Sequence, residues 1–214
     1  MKIKTWLAIL CAWACIQPVI AQSEPAGRYR LSDGPDVASE LILTPDGHFR
    51  YFLAAGALDE QAEGEWTSDG SIIRLTTVPT PVPPAFAQGA AIDAEDPYFI
   101  LVTWPNGRGI AGIDLRIGFD SGDPIEAYTQ SYGWNLPDEE TRNPRWIELS
   151  EPMHGLASPR FPVDDAKRFR FILTPNDLGI VDFRNAIGRL DGDTLQLERA
   201  GGTMKFVRTD KSHR

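Results

Sequence analysis

Glycine, proline, asparagine and aspartate recur every ten to fifteen residues after residue 26, and the stretches between them are short and rich in β-branched, aromatic and leucine residues. A helix needs a longer unbroken run with apolar residues three and four apart, whereas a strand needs only a few alternating positions between turn formers. The spacing therefore predicts strands near residues 29–31, 41–43, 49–53, 64–66, 72–76, 99–104, 113–119, 168–174, 180–183, 194–198 and 203–207. Turns are expected at Pro45-Asp46-Gly47, Asp69-Gly70, Pro105-Asn106-Gly107, Asp191-Gly192 and Gly201-Gly202, where glycine supplies the positive φ that closes a tight loop. Residues 113–119 alternate most clearly, with Ile113, Leu115, Ile117 and Phe119 on one face and Asp114 and Arg116 on the other. With 99–104 they read as one hairpin. Residues 53–63 read as a loop or a single helical turn, because Gly56 interrupts an alanine-rich stretch that no capping pair defines.

The expected fold class is all-β: antiparallel hairpins forming a curved sheet, as a β-sandwich or a lipocalin-like partial barrel, with a second small β-sandwich unit as a variant. Pro79, Pro81, Pro83 and Pro84 mark the main boundary. Four prolines in six residues cannot donate the N–H ladder of a central strand. The organisation read from this is a leader over 1–21, an N-terminal β unit over 22–78 and a connector over 79–86. A central β unit with a long irregular loop follows over 87–162, then a C-terminal unit over 163–208 that completes the N-terminal sheet, and a basic tail over 209–214.

Lys2 and Lys4 precede an apolar run from Trp6 to Ala14, and Val19 and Ala21 stand at the −3 and −1 positions of a cleavage site. This has the form of a secretory signal peptide, and the apolar run is shorter than the roughly 20 residues a membrane span requires. The expected address is periplasmic or extracellular; lipid anchoring at Cys15 is the alternative. Cleavage after Ala21 leaves 193 residues, removes both cysteines and two lysines, and changes the net charge from −9 to −11. Such an acidic chain lacks the cationic concentration that nucleic acid demands. Nucleic acid is therefore not among the expected partners.

The stretch Asn106-Gly107-Arg108-Gly109-Ile110-Ala111-Gly112-Ile113-Asp114-Leu115 resembles the opening hairpin of transthyretin-like modules in carboxypeptidase regulatory domains. The resemblance covers residues 99–134. It implies a small, non-catalytic β-sandwich, although Gln130-Ser131-Tyr132-Gly133 matches the family's next turn only loosely.

Catalytic signatures are sparse. There is no Gly-x-Ser-x-Gly elbow or Ser-x-x-Lys pair, and His48, His154 and His213 do not have the spacing of a zinc site. A triad of Ser158, His154 and Asp164 can be drawn only by sequence proximity. No cofactor is expected. Calcium has weak candidate ligands in Asp120, Asp123 and Glu126, and again in Asp93, Glu95 and Asp96, but neither group follows the twelve-residue calcium loop. Tyr128, Tyr132, Trp134 and Trp146 lie in the irregular region and are the candidate ligand-binding residues, as a stacking platform.

The leading functional expectation is a secreted or periplasmic non-enzymatic protein that binds an envelope protein or small ligand, with a protein partner foremost. The alternatives are a lipocalin-like carrier of an apolar ligand and a carboxylate-dependent hydrolase of envelope glycans. The intact mass of the exported protein should match an unmodified chain beginning at Gln22. An acylated species beginning at Cys15 would overturn that expectation.

Overall fold

The computed structural model describes residues 24–32, 34–90, 98–163, 168–199 and 201–210. The expected leader, Cys11, Cys15, the acidic group at 93, 95 and 96, Asp164 and most of the basic tail with His213 lie outside the described residues. No helix occurs among the described residues, and none is long and apolar enough to cross a membrane. The fold is all-β.

Strands β1 (Gly27–Leu31), β2 (Val37–Leu43), β3 (His48–Ala55), β4 (Leu58–Asp69) and β5 (Ile72–Thr77) form a run of antiparallel neighbours. The chain then leaves through the proline connector. A second unit contains β6 (Ala85–Gln88), β7 (Phe99–Thr103), β8 (Asp114–Phe119), β9 (Ile125–Tyr128), β10 (Trp134–Asn135), β11 (Pro144–Glu151), β12 (Leu156–Ala157), β13 (Phe161–Pro162) and β14 (Arg168–Thr174). Finally β15 (Ala186–Asp191), β16 (Thr194–Arg199) and β17 (Gly202–Arg208) return to the first run, closing an eight-stranded barrel in the order β1-β17-β16-β15-β5-β4-β3-β2. The second unit is thus inserted between two neighbouring barrel strands.

Period-two alternation decides what fills the barrel. On β3, Phe49, Tyr51 and Leu53 point inward while His48, Arg50 and Phe52 point out. The inward set meets Tyr29, Leu41, Leu43, Ile73, Leu75, Leu195, Leu197 and Phe206, all essentially inaccessible. Large side chains fill the interior, as expected of a small barrel. The second unit packs β10-β7-β14-β6 against the sheet containing β12-β11-β8-β9, around Ile100, Val102, Leu115, Ile117, Ile147, Phe169 and Phe171. Its β7–β14 contact is parallel; the other named strand pairs of the molecule are antiparallel.

Five local expectations need correction. Residues 53–63 are neither loop nor helical turn: β3 and β4 continue through them as a hairpin, with Gly56 at φ 61 in its turn. The alternation Glu60, Ala62, Gly64 on the inward side outweighs the alanine helix propensity. Residues 99–104 and 113–119 do not pair, because β7 and β8 lie in different sheets. The chain makes the hairpin contact Thr103–Gly109, then turns at Gly112 and crosses the sandwich. Arg168–Thr174 joins the sandwich, not the barrel. The long region 120–162 also contains β9 to β13.

Residues 180–183 likewise form no regular strand; they fill a gap in the barrel. Above the Gly64–Thr77 pair, β5 ends and the connector carries the chain away from β4. Gln61 donates its N–H to Gly179 O (2.9 Å) and accepts from Val181 N (2.8 Å), so the returning segment replaces the missing partner. Thr77 Oγ1 donates to Val181 O (2.7 Å) and accepts from Phe183 N (2.9 Å), while Thr77 N donates to Phe183 O (2.9 Å). This places Phe183 edge-on against Tyr51 and Phe49, with centroid separations of 5.2 and 5.9 Å.

Thr77→Val keeps the side-chain shape but leaves the buried Phe183 N–H and Val181 carbonyl without their hydroxyl partner. Urea unfolding should show a loss of about 1–3 kcal/mol, the usual cost of stranded buried polar groups. An unchanged midpoint would remove the hydroxyl from this role.

Candidate functional site

The outward residues of β2, β3 and β4 line a groove at the seam between barrel and connector. In one cross-strand row, Glu40 pairs with Phe52 and Phe52 with Gln61, next to Ile180. In the next, Ile42 pairs with Arg50 and Arg50 with Glu63. Val78, Pro79 and Pro81 build one wall, where the chain makes a last bond from Val78 N to Glu63 O and then departs from β4. Asp177 and Ile180 of the returning segment complete a hollow of about 500 Å³. It adjoins a second recess of about 630 Å³ that shares Ile42, Arg50, Glu63 and Val78 and extends to Asp46 and His48.

The two chain crossings that shape this wall are fastened together. Val82 N donates to Asp177 Oδ2 (2.7 Å), Asp177 N donates to Val82 O (3.1 Å), and Asn176 Nδ2 donates to Pro83 O (2.8 Å). Glu40 is also engaged, accepting from Arg28 (2.8 Å) and Arg30 (3.1 Å). The apolar side chains are more available: Phe52 is 46% exposed, Val78 45% and Val82 57%. Phe52 and Val78, two of the seven large hydrophobic residues that stand exposed among the described residues, line the hollow, and Val82 follows in the connector where its N–H meets Asp177.

The residues picked from sequence lie elsewhere. Tyr128, on the edge strand β9, and Tyr132, in the turn before β10, are exposed. Trp134 sits opposite Ile100 and packs partly into the sandwich core. Trp146 lies against Gly118, where an added Cβ would come within 2.0 Å of its ring, and Arg160 covers the ring at 4.2 Å. Tyr128 pairs with Asp114, four residues along β8 from the Gly118 beneath Trp146. The four aromatics thus occupy different elements of two sheets and are not assembled into one stacking surface.

Among the described residues, no three acidic or histidine side chains converge as a metal site. Around the calcium candidates a guanidinium supplies the positive charge: Arg142 donates to Ser121 O (3.1 Å) and Asp123 O (2.9 Å), and its hydrogen bonds to Glu140 hold that carboxyl down at about 2. Asp120 accepts from Asn143, and Glu126 lies 3.8 Å from Arg116. His154 Nδ1 contacts Glu151 at 2.9 Å, while Ser158 Oγ donates to Pro159 O and accepts from Leu149 N. Their hydrogen bonds tie these side chains into the β11–β12 region.

No family model matches the chain, and neither a curated protein nor a solved structure does. The site is therefore read from its own chemistry. Sequence reasoning missed Arg50, Phe52, Glu63 and Val78, although one signal was present. Once Phe49, Tyr51 and Leu53 are assigned inward, Phe52 is left as an aromatic on the outer face, across from Glu40 on β2.

Two buried tyrosines close the barrel ends. Tyr51 accepts from Arg199 (2.8 Å), which also pairs with Glu60 (2.5 Å), and burial raises the Tyr51 pKa. At the other end Tyr29 accepts from Arg208 (2.5 Å) and donates to Pro25 O (2.7 Å). Burial pushes the Tyr29 phenol up to about 12, with the Arg208 charge pulling the other way. A phenol that ionises near 10 in the unfolded chain and near 12 in the fold favours folding below pH 10. That contribution disappears as pH rises through this interval. Thermal melts from pH 9 to 12 should fall steeply above pH 10, and Tyr29→Phe should start lower but fall less steeply. Parallel curves would disprove the linkage to Tyr29.

Proposed function

We propose that this chain is a secreted or periplasmic non-enzymatic binding protein whose ligand surface is the groove over β2–β4. The observation that carries this reading is that exposed Phe52 and Val78 line one hollow together with Ile42 and charged groups. Exposed apolar surface concentrated within a polar rim is characteristic of interaction sites, whereas scattered exposed hydrophobics need no such role. The filled barrel places the available space outside the core, on a rigid sheet whose strands hold Ile42 and Phe52 in fixed register. At about 500 Å³ the hollow has the volume of a pocket for a small ligand or a short stretch of a partner chain.

The test uses tagged, exported protein and an envelope extract from its source, with bound proteins and small molecules both identified by mass spectrometry. A stoichiometric species retained by the wild type and by Tyr132→Ser should be lost from Phe52→Asp. Both substitutions are on exposed side chains, and matched melting temperatures will show that the folds are intact. Retention by Phe52→Asp would move the binding surface away from the groove.

A further inference from the structure

The groove contains two opposite charges that the fold leaves unused. Arg50 and Glu63 face each other in register across β3 and β4, both exposed, and among the described residues neither side chain makes a hydrogen bond or ion pair. Their neighbours differ. Glu40 is held by Arg28 and Arg30, and Asp177 by the Val82 amide. The hollow's charged lining is Arg50 with Glu40, Glu63 and Asp177, and two of those carboxylates already have partners outside it or on the connector. The hollow therefore offers one uncommitted group of each sign, Arg50 and Glu63.

We infer that the groove recognises a short zwitterionic apolar peptide, with its carboxylate on Arg50, its ammonium on Glu63 and an apolar side chain against Phe52 and Val78. This rests on the binding reading above and specifies the ligand class of that same site. Directly opposed residues in an antiparallel pair are about 5 Å apart at Cα, so two long side chains can reach both charged ends of a peptide of two or three residues. A guanidinium also offers a carboxylate two parallel donors. Strand addition is not available as a binding mode here, because β3 and β4 have partners on both sides over this stretch. Recognition must therefore act through side chains, which is the role left to Arg50 and Glu63.

The experiment is an amide NMR titration of the exported chain with Leu-Phe, N-acetyl-Leu-Phe, Leu-Phe-amide, the doubly blocked peptide and decanoate. Leu-Phe should shift amides of β2, β3, β4 and Val78, and blocking either end should weaken binding about threefold to fivefold, the scale of an exposed ion pair. Arg50→Gln should erase the preference for a free carboxylate, Glu63→Gln that for a free ammonium, and Phe52→Ser should weaken every peptide. Equal affinity for the doubly blocked peptide, or groove shifts with decanoate alone, would overturn the zwitterion inference while leaving the groove as a binding surface. If no probe moves those amides, the inference and the assignment of binding to this groove both fall.

Discussion

The pairing of Gln61 and Thr77 with residues 179–183 is the interaction on which the rest of the structure depends. A barrel has no free edges only if every strand finds two neighbours, and the proline connector denies β4 its second neighbour over half its length. Borrowing backbone groups from the returning chain solves the pairing, and the same few bonds position Phe183 against Tyr51. They also bring Ile180 and Asp177 beside the connector, where these residues form part of the groove wall. Closure and the candidate site thus arise from one backbone detour.

The inserted sandwich has its own core, separate from that of the barrel. Its short edge strands, such as the four-residue β6 and β9, offer little ladder for unwanted pairing. The Asp177–Val82 bonds fasten its entry and exit together, so the two chain crossings share a single seam. A rigid sheet on one side and proline-rich chain on the other make this seam a defined surface even though it belongs to no single strand.

Much of the fold was legible because alternation is a local property. The inward sets Phe49-Tyr51-Leu53, Leu115-Ile117-Phe119 and Phe169-Phe171-Leu173 follow directly from spacing, and the structure buries each. Pairing over long distances was not legible. The turn formers after Thr103 invite a hairpin, yet nothing local says that the chain will pass Gly112 and cross to the other sheet. The sequence likewise gives no signal that Arg168–Thr174 and Ala186–Asp191, close in the chain, belong to different cores. The groove was hidden for the same reason: its residues come from five separated stretches, each unremarkable alone.

The insertion also imposes an order on synthesis. β1 to β5 emerge first, but their neighbours β15 and β17 lie beyond the sandwich, more than 100 residues later. Until the last strand is made, the half-barrel exposes two open edges and the apolar face carrying Leu41, Phe49 and Ile73. Long-range strand pairing is slow, and unpaired edges are where chains associate wrongly. The sandwich can complete its pairings as soon as β14 appears, bringing the two ends of the insertion together and shortening the search by which β15 finds β5. Its first contribution to the barrel is therefore kinetic, made before the barrel has closed.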